Sequence, residues 1–249
     1  MPDPTHQAVR NNALWCDAVC RAHGRPGRFL DELWTNERAT PPFYPNAITL
    51  AGTPRSTEQL AHIGALIDAR IPGNWAVKDS FAALDLAPLG FRVLFDAQWI
   101  YRPGSPAPAA HDAAGVRWER VGDVSALAAW ERAWAGESDG SLARIFLPPL
   151  LAEKDIAILA AYHHEAIVAG VIANHTADVV GASNLFVPAD DDGRYRAGCL
   201  AAITGVFLGL PLVGYESGPD LAAALALGFE AIGPLRVWGR DDASKNVNE

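Results

Sequence analysis

Two apolar runs, DIAILAAY at 155–162 and AIVAGVIAN at 166–174, are separated by only His163, His164 and Glu165. Apolar segments of this length around a short polar connection form a β-hairpin, which fixes a sheet in the second half of the chain. The flanking segments can be placed around it. ADVVGASNLFVP at 177–188 continues as a third strand after a turn at 174–176. An acidic loop at 190–193 precedes an Ala- and Leu-rich helix over 195–208. A short apolar strand at 211–217 follows, then a helix over 219–227 opened by Pro219 and closed near Gly228, and a last strand at 230–238.

Upstream of the hairpin, GVRWERV at 115–121 alternates like a strand. Asp123 then caps a helix in which Val124, Leu127, Trp130 and Trp134 recur at helical spacing, and Gly136 suits its end. The next segment, ARIFLPPLLAEK, is broken by Pro148 and Pro149. The predicted order of the second half is therefore β-α-α-β-β-β-α-β-α-β.

The first half contains a partial echo of this order. Leu89-Gly90-Phe91 and Leu227-Gly228-Phe229 each end a helical segment. Superposing the two phrases lays 75–79 on 213–217 and 92–101 on the last strand. Before them come a strand-like AITL and a helix over 56–71, with Ser56 or Thr57 as its cap. Residues 14–22 and 29–34 read as two short helices, and PPFYPNA as the approach to the first strand. A degenerate half-copy explains this pattern. Coincidence also stands at this stage, because glycine followed by an apolar residue is a common helix ending.

The connector at 103–115, PGSPAPAAHDAAG, has linker composition. The expected division is an N-terminal part at 1–107, a linker at 108–115, a complete domain at 116–239 and a mobile tail at 240–249.

Composition narrows the partners. With 20 Lys and Arg against 29 Asp and Glu, a net charge of −9 disfavours nucleic acid and anionic membranes. The chain has no basic-then-apolar leader and no apolar run long enough to span a bilayer. Cys16, Cys20 and Cys199 lack metal-binding or paired spacing. Cys16 and Cys20 sit four apart in a helical pattern and read as buried thiols, which fits a reducing cytoplasm. No metal site is expected.

Three phrases give the second half a family resemblance. AAYHHEAIVAGVIAN, with Gly170 just after the turn, is similar to the second and third strands of the GNAT superfamily of acyl-CoA-dependent N-acetyltransferases. FVPADDDGRYRAGCLAAI resembles the family's passage from the fourth strand into a helix, and SGPDLAAALALGF its helix ending in Leu-Gly-Phe. The resemblance implies a mixed, mostly antiparallel α/β sheet flanked by helices and preceded by a partial GNAT-like half. It also implies acetyl-CoA or another acyl-CoA as co-substrate.

Under this resemblance, backbone groups of Leu185, Phe186 and Val187 hold the pantetheine arm. Arg194, Tyr195, Arg196, Ala197 and Gly198 receive the diphosphate at a helix start, where free N–H groups and the helix dipole favour anions. The family's loop reads approximately Gln/Arg-x-x-Gly-x-Gly/Ala. Here Tyr195 and Leu200 depart from it, and Asp190, Asp191 and Asp192 add negative charge beside it. The tyrosine acid often found five residues before the Phe of Leu-Gly-Phe is replaced by Ala224.

Glu216, with Ser217, ends the fifth-strand segment and is the first choice for a base that takes the amine proton. A solvated strand end or a helix cap at Ser217 is the plain alternative. His163, His164 and Glu165 fit a hairpin tip, and His175 a turn. Trp15, Trp34, Trp75 and Trp99 fit a core better than an acceptor pocket. Arg194 and Arg196 beside three aspartates fit either phosphate contact or surface ion pairing. The expected activity is acyl transfer to the amine of a small acceptor, with a homodimer left open. The competing expectation is a non-catalytic GNAT-like ligand- or partner-binding module.

Overall fold

The computed structural model describes residues 3–73, 75–104, 115–136, 144–176, 178–191 and 193–241. The predicted linker, except Gly115, and the predicted tail beyond Asp241 lie outside them. The chain divides into two compact units. One comprises 1–99, 215–221 and 231–249, and the other 100–214 and 222–230.

The first unit begins with α1 (Pro4–Ala22), whose N-cap Asp3 accepts the Thr5 N–H at 3.0 Å. Sequence reasoning recovers only its second half, because residues 4–13 are largely polar even though Ala8, Val9 and Asn11 are buried. The expected helix at 29–34 is instead two short strands, β1 (Arg28–Phe29) and β2 (Leu33–Thr35), paired antiparallel. The Leu30 to Trp34 spacing mimics a helix, but the partner of Trp34 is remote: its Nε1 donates to Asp17 Oδ1 of α1 at 3.1 Å. Asp17 also accepts Gly27 N–H at 2.9 Å and Arg21 Nη1 at 2.7 Å. One buried carboxylate thus ties α1 to the turn and strand that follow it.

Next come β3 (Ala47–Thr49), α2 (Ser56–Asp68), β4 (Trp75–Asp79) and β5 (Arg92–Arg102). The predicted cap of α2 is displaced, since a 3-10 turn at Thr53–Arg55 leads into the helix and Arg55 is the N-cap. Ser56 Oγ donates back to Thr53 O at 2.9 Å. β3 runs parallel to β4, with Ile48 opposite Lys78. The strand on the other side of β4 comes from the end of the chain: β11 (Glu230–Arg240) pairs antiparallel with β4 from Arg236↔Asp79 to Arg240↔Trp75. The order in this unit is β1-β2-β3-β4-β11-β5. Ile63 and Leu66 of α2 pack with Leu33, Ala47, Trp75, Val77, Leu86, Phe91 and Trp238 in one buried cluster.

The second unit contains β6 (Val116–Arg120), α3 (Val124–Ala135), β7 (Ile156–His163), β8 (Ala166–Thr176), β9 (Val179–Phe186) and α4 (Arg194–Val206), then β10 (Leu212–Glu216) and α5 (Gly218–Ala226). Residues 215–221 of the last two fall in the first unit. β6 to β9 form an antiparallel meander, and β9 runs parallel to β10. The hairpin closes on a two-residue turn in which His164 has a φ of 54°. Asp123 caps α3 through the N–H groups of Ser125 and Ala126.

The two Leu-Gly-Phe phrases adopt the same conformation. Gly90 has φ 82° and Gly228 φ 85°, values that favour glycine. Phe91 N–H reaches Leu86 O at 3.2 Å, and Phe229 N–H reaches Ala224 O at 3.2 Å. A Cβ on Gly90 would lie 3.7 Å from Arg240 Nε, and one on Gly228 3.7 Å from Arg102 Nε. In each unit the glycine therefore faces an arginine from the long strand of the other sequence half. The two helix ends thus share one local geometry, down to the hydrogen bond that closes each and the arginine beside each glycine. Among the described residues, no helix is long and apolar enough to cross a membrane.

Candidate functional site

The candidate site is built on β9 and the loop that leads into α4. The β8 ladder pairs Ile172 with Ser183 and next Gly170 with Phe186, so two steps along β8 match three along β9. This bulge places Asn184 at φ 53° and turns the Asn184–Leu185 backbone out of the ladder. The parallel register with β10 covers Val180 and Gly181 only. Just beyond it, Ser183 Oγ is buried with no hydrogen-bond partner among the described residues. A buried hydroxyl in that condition leaves bonding capacity for a water or a ligand.

Gly170 makes the bulge compatible with its cover. A Cβ there would collide with Trp130 Nε1 and stand 2.6 Å from Phe186 Cε1 and 2.9 Å from Leu159 O. Trp130, buried on α3, donates Nε1–H to Leu159 O at 2.9 Å and packs edge-on against Phe186. The glycine next to the hairpin therefore allows an indole to lie directly on the backbone.

α4 packs on β7, β8 and β9. Its N-cap is Gly193 at φ 97°, a left-handed turn with no side-chain cap of its own. The first-turn amides are nonetheless engaged. Tyr195 N–H donates to Asp191 Oδ1 at 3.1 Å and Arg196 N–H to Asp191 Oδ2 at 3.3 Å. Asp191 thus occupies the anion position at this helix start. Ala197 N–H bonds to Gly193 O at 2.9 Å. Gly198 lies one turn into the helix, buried against Trp118, where a Cβ would be 2.8 Å from Cζ2. The amides of Tyr195 and Arg196 are the donors seen at this helix start, where Arg194 and Arg196 also stand. Gly198 serves packing. The acidic loop carries the missed signal: an aspartate four and five residues before the first free amides, followed by Gly193, is a capping pattern.

Leu185, Phe186 and Val187 share the second unit with Arg194 to Gly198, whereas Glu216 and Ser217 belong to the first. Glu216 is the last residue of β10 and is half-buried. Ser217 is exposed, and its carbonyl accepts Leu221 N–H at 3.2 Å, the first bond of α5. Ala224, where the resemblance would have a tyrosine, is 9% exposed and takes the Phe229 N–H on its carbonyl.

The remaining candidates take structural places. His163 and His164 meet at the hairpin tip in a tilted arrangement, with ring centroids 4.5 Å apart. His175 lies 3.3 Å from Asp155 and stacks on Phe207. Trp15, Trp34, Trp75 and Trp99 are buried. All three cysteines are free and buried, and burial raises each thiol, that of Cys20 to about 12.

The meander, the bulged β9, the parallel β9–β10 step and the capped α4 make a mixed α/β fold of the kind found in solved GCN5-related N-acetyltransferases, in a two-part chain. Solved structures share it along most of their length. A GCN5-related N-acetyltransferase from Kribbella flavida aligns with a TM-score of 0.60 at 14% identity, covering 96% of each chain. A functionally unknown conserved protein from Staphylococcus epidermidis aligns at 0.62 and 13% identity, covering 87% of this chain and 94% of that one. A tandem GNAT protein from the clavulanic acid biosynthesis pathway aligns at 0.53 and 14% identity over 95% of each chain. No protein-family model matches the sequence. Nor does any curated protein match it.

Proposed function

We propose that this chain is an acyl-CoA-dependent N-acyltransferase acting on a small amine. The observation that carries the reading is the bulged β9 beside α4, with an unpartnered buried hydroxyl at Ser183 and an N-terminal helix turn already holding an anionic group. Backbone groups at 185–187 would line the pantetheine arm. The amides of Tyr195 and Arg196, with the Arg194 and Arg196 side chains, would take the diphosphate once Asp191 withdraws. The acyl donor supplies an activated thioester. The amine nitrogen forms the new C–N bond as the C–S bond breaks, a general base takes the amine proton, and the thiolate leaves to be protonated as free CoA.

A second reading has its own support. Asp191 on the diphosphate amides and Ala224 in place of an acidic tyrosine both favour a GNAT-like module that binds a ligand without turning it over. Calorimetric titration with CoA and acetyl-CoA, followed by a thiol-release assay across an amine panel, separates the two. Millimolar-or-better binding with thiol release supports the transferase, and binding without release supports the module. Absence of binding refutes both acyl-CoA readings. Arg194→Ala with Arg196→Ala should weaken CoA, and unchanged affinity would move the phosphate site elsewhere.

A further inference from the structure

The first unit carries a cavity lined by none of the residues 185–198. It has a volume of about 570 Å³ and is walled by Tyr44, Trp75, Leu94, Phe95 and Tyr215, with Lys78 among its lining residues. This is within the ~300–1,000 Å³ typical of small-molecule sites.

Lys78 is out of keeping with its strand. β4 reads Trp-Ala-Val-Lys-Asp and is paired on both sides, by β3 and β11, so an apolar residue would suit position 78. Alternation sends Val77 into the cluster under α2 and Lys78 to the opposite face. The side chain is only 5% exposed. Its Nζ donates to Asn12 Oδ1 at 2.7 Å and to Tyr215 OH at 3.4 Å, and it lies 4.4 Å from the centre of the Tyr215 ring. These partners are neutral, and no carboxylate reaches Nζ among the described residues. A buried ammonium without a counter-ion is costly, and such groups are ordinarily paired.

The rim has the same sign. Arg92 is bound to Asp241 at 3.4 Å, whereas Arg240 has no carboxylate partner among the described residues. The Pro-rich loop at 39–45 forms one side of the cavity and holds Phe43 at φ 68° with 76% of its surface exposed. A bulky aromatic in the left-handed region is uncommon, and residues held there cluster at ligand clamps.

We infer that this cavity binds a small carboxylic acid with an aromatic or aliphatic body, its carboxylate on Lys78 and its body between Tyr44, Trp75 and Tyr215. The buried cation supplies the charge selection, and the apolar wall with the proline loop supplies the fit.

The test is calorimetry on the full chain with matched pairs: phenylacetate against phenylacetamide, indole-3-acetate against its amide, and octanoate against octanamide. At least one acid should bind with submillimolar Kd and its amide at least tenfold more weakly. Lys78→Met keeps the stem volume and removes the charge. It should lose at least tenfold in affinity for the acid while retaining the circular dichroism spectrum. Arg240→Gln, at the rim, should lose less than Lys78→Met. No acid binding below 10 mM, equal affinity for acid and amide, or undiminished acid binding by Lys78→Met would each overturn the assignment. If Lys78→Met does not fold, the acid-against-amide comparison on the unaltered chain decides.

Discussion

Replacing Asp191 separates the capping of α4 from the diphosphate site proposed at its N-terminus. In the structure its carboxylate satisfies the Tyr195 and Arg196 amides, at 3.1 and 3.3 Å. Asparagine keeps one acceptor oxygen for these amides but loses the second and the charge, at a cost of up to about 1 kcal/mol of stability. A diphosphate entering the same position meets a like charge. At ~5 Å and an effective dielectric constant of ~20, one pair of unit charges repels by about 3 kcal/mol. Asp191 is half-buried, so solvent and salt reduce this to about 1–2 kcal/mol, roughly tenfold in affinity. Asp191→Asn should therefore melt a few degrees lower yet bind CoA about tenfold more tightly. Pantetheine, which lacks the diphosphate, should bind the two proteins equally. Calorimetry at two ionic strengths reads both effects. Weaker CoA binding in the variant, or an equal change for pantetheine, would refute the reasoning, because the carboxylate would then be supporting the ligand instead of displacing it.

Gly170→Ala should destabilise the second unit by about 1–3 kcal/mol or more, since two of the three nearest atoms belong to packed rings and the third is a backbone oxygen; a thermal melt of unchanged midpoint would contradict the packing. Trp130→Phe should cost about 1 kcal/mol through the lost bond to Leu159 O, measurable by urea titration. The three thiols should resist a disulfide reagent at pH 8 in the native protein and all react in guanidinium. Because burial raises Cys20 from 9.0 to about 12, the folded state favours its protonated form. Its contribution to stability should be complete below pH 9 and decline between pH 9 and 12, which denaturation at stepped alkaline pH would follow.

The second half was readable because its signals are local. The hairpin declares itself through two apolar runs, α3 through Asp123 and its helical spacing, and the two Leu-Gly-Phe helix ends through a glycine that each cap requires. The first half hid more, because its determinants are remote. Asp17 orders Gly27 and Trp34 across ten and seventeen residues, and no window over 28–35 contains that partner. The local structure around the candidate residues was legible only in part. The helix start after Val187 was recognisable, whereas the aspartate filling it and the packing role of Gly198 depend on the way the loop folds back. The setting of Lys78, held by neutral partners, emerges only when Asn12 and Tyr215 come together in space.

The position of β11 has a consequence for biogenesis. The sheet of the first unit needs residues 231–240 between β4 and β5, yet these leave the ribosome only after residues 100–214 of the second unit. Until they emerge, β4 keeps an open edge. Cutting the gene near codon 110 should therefore give an amino-terminal fragment prone to self-association, and supplying the missing strand in trans should rescue it.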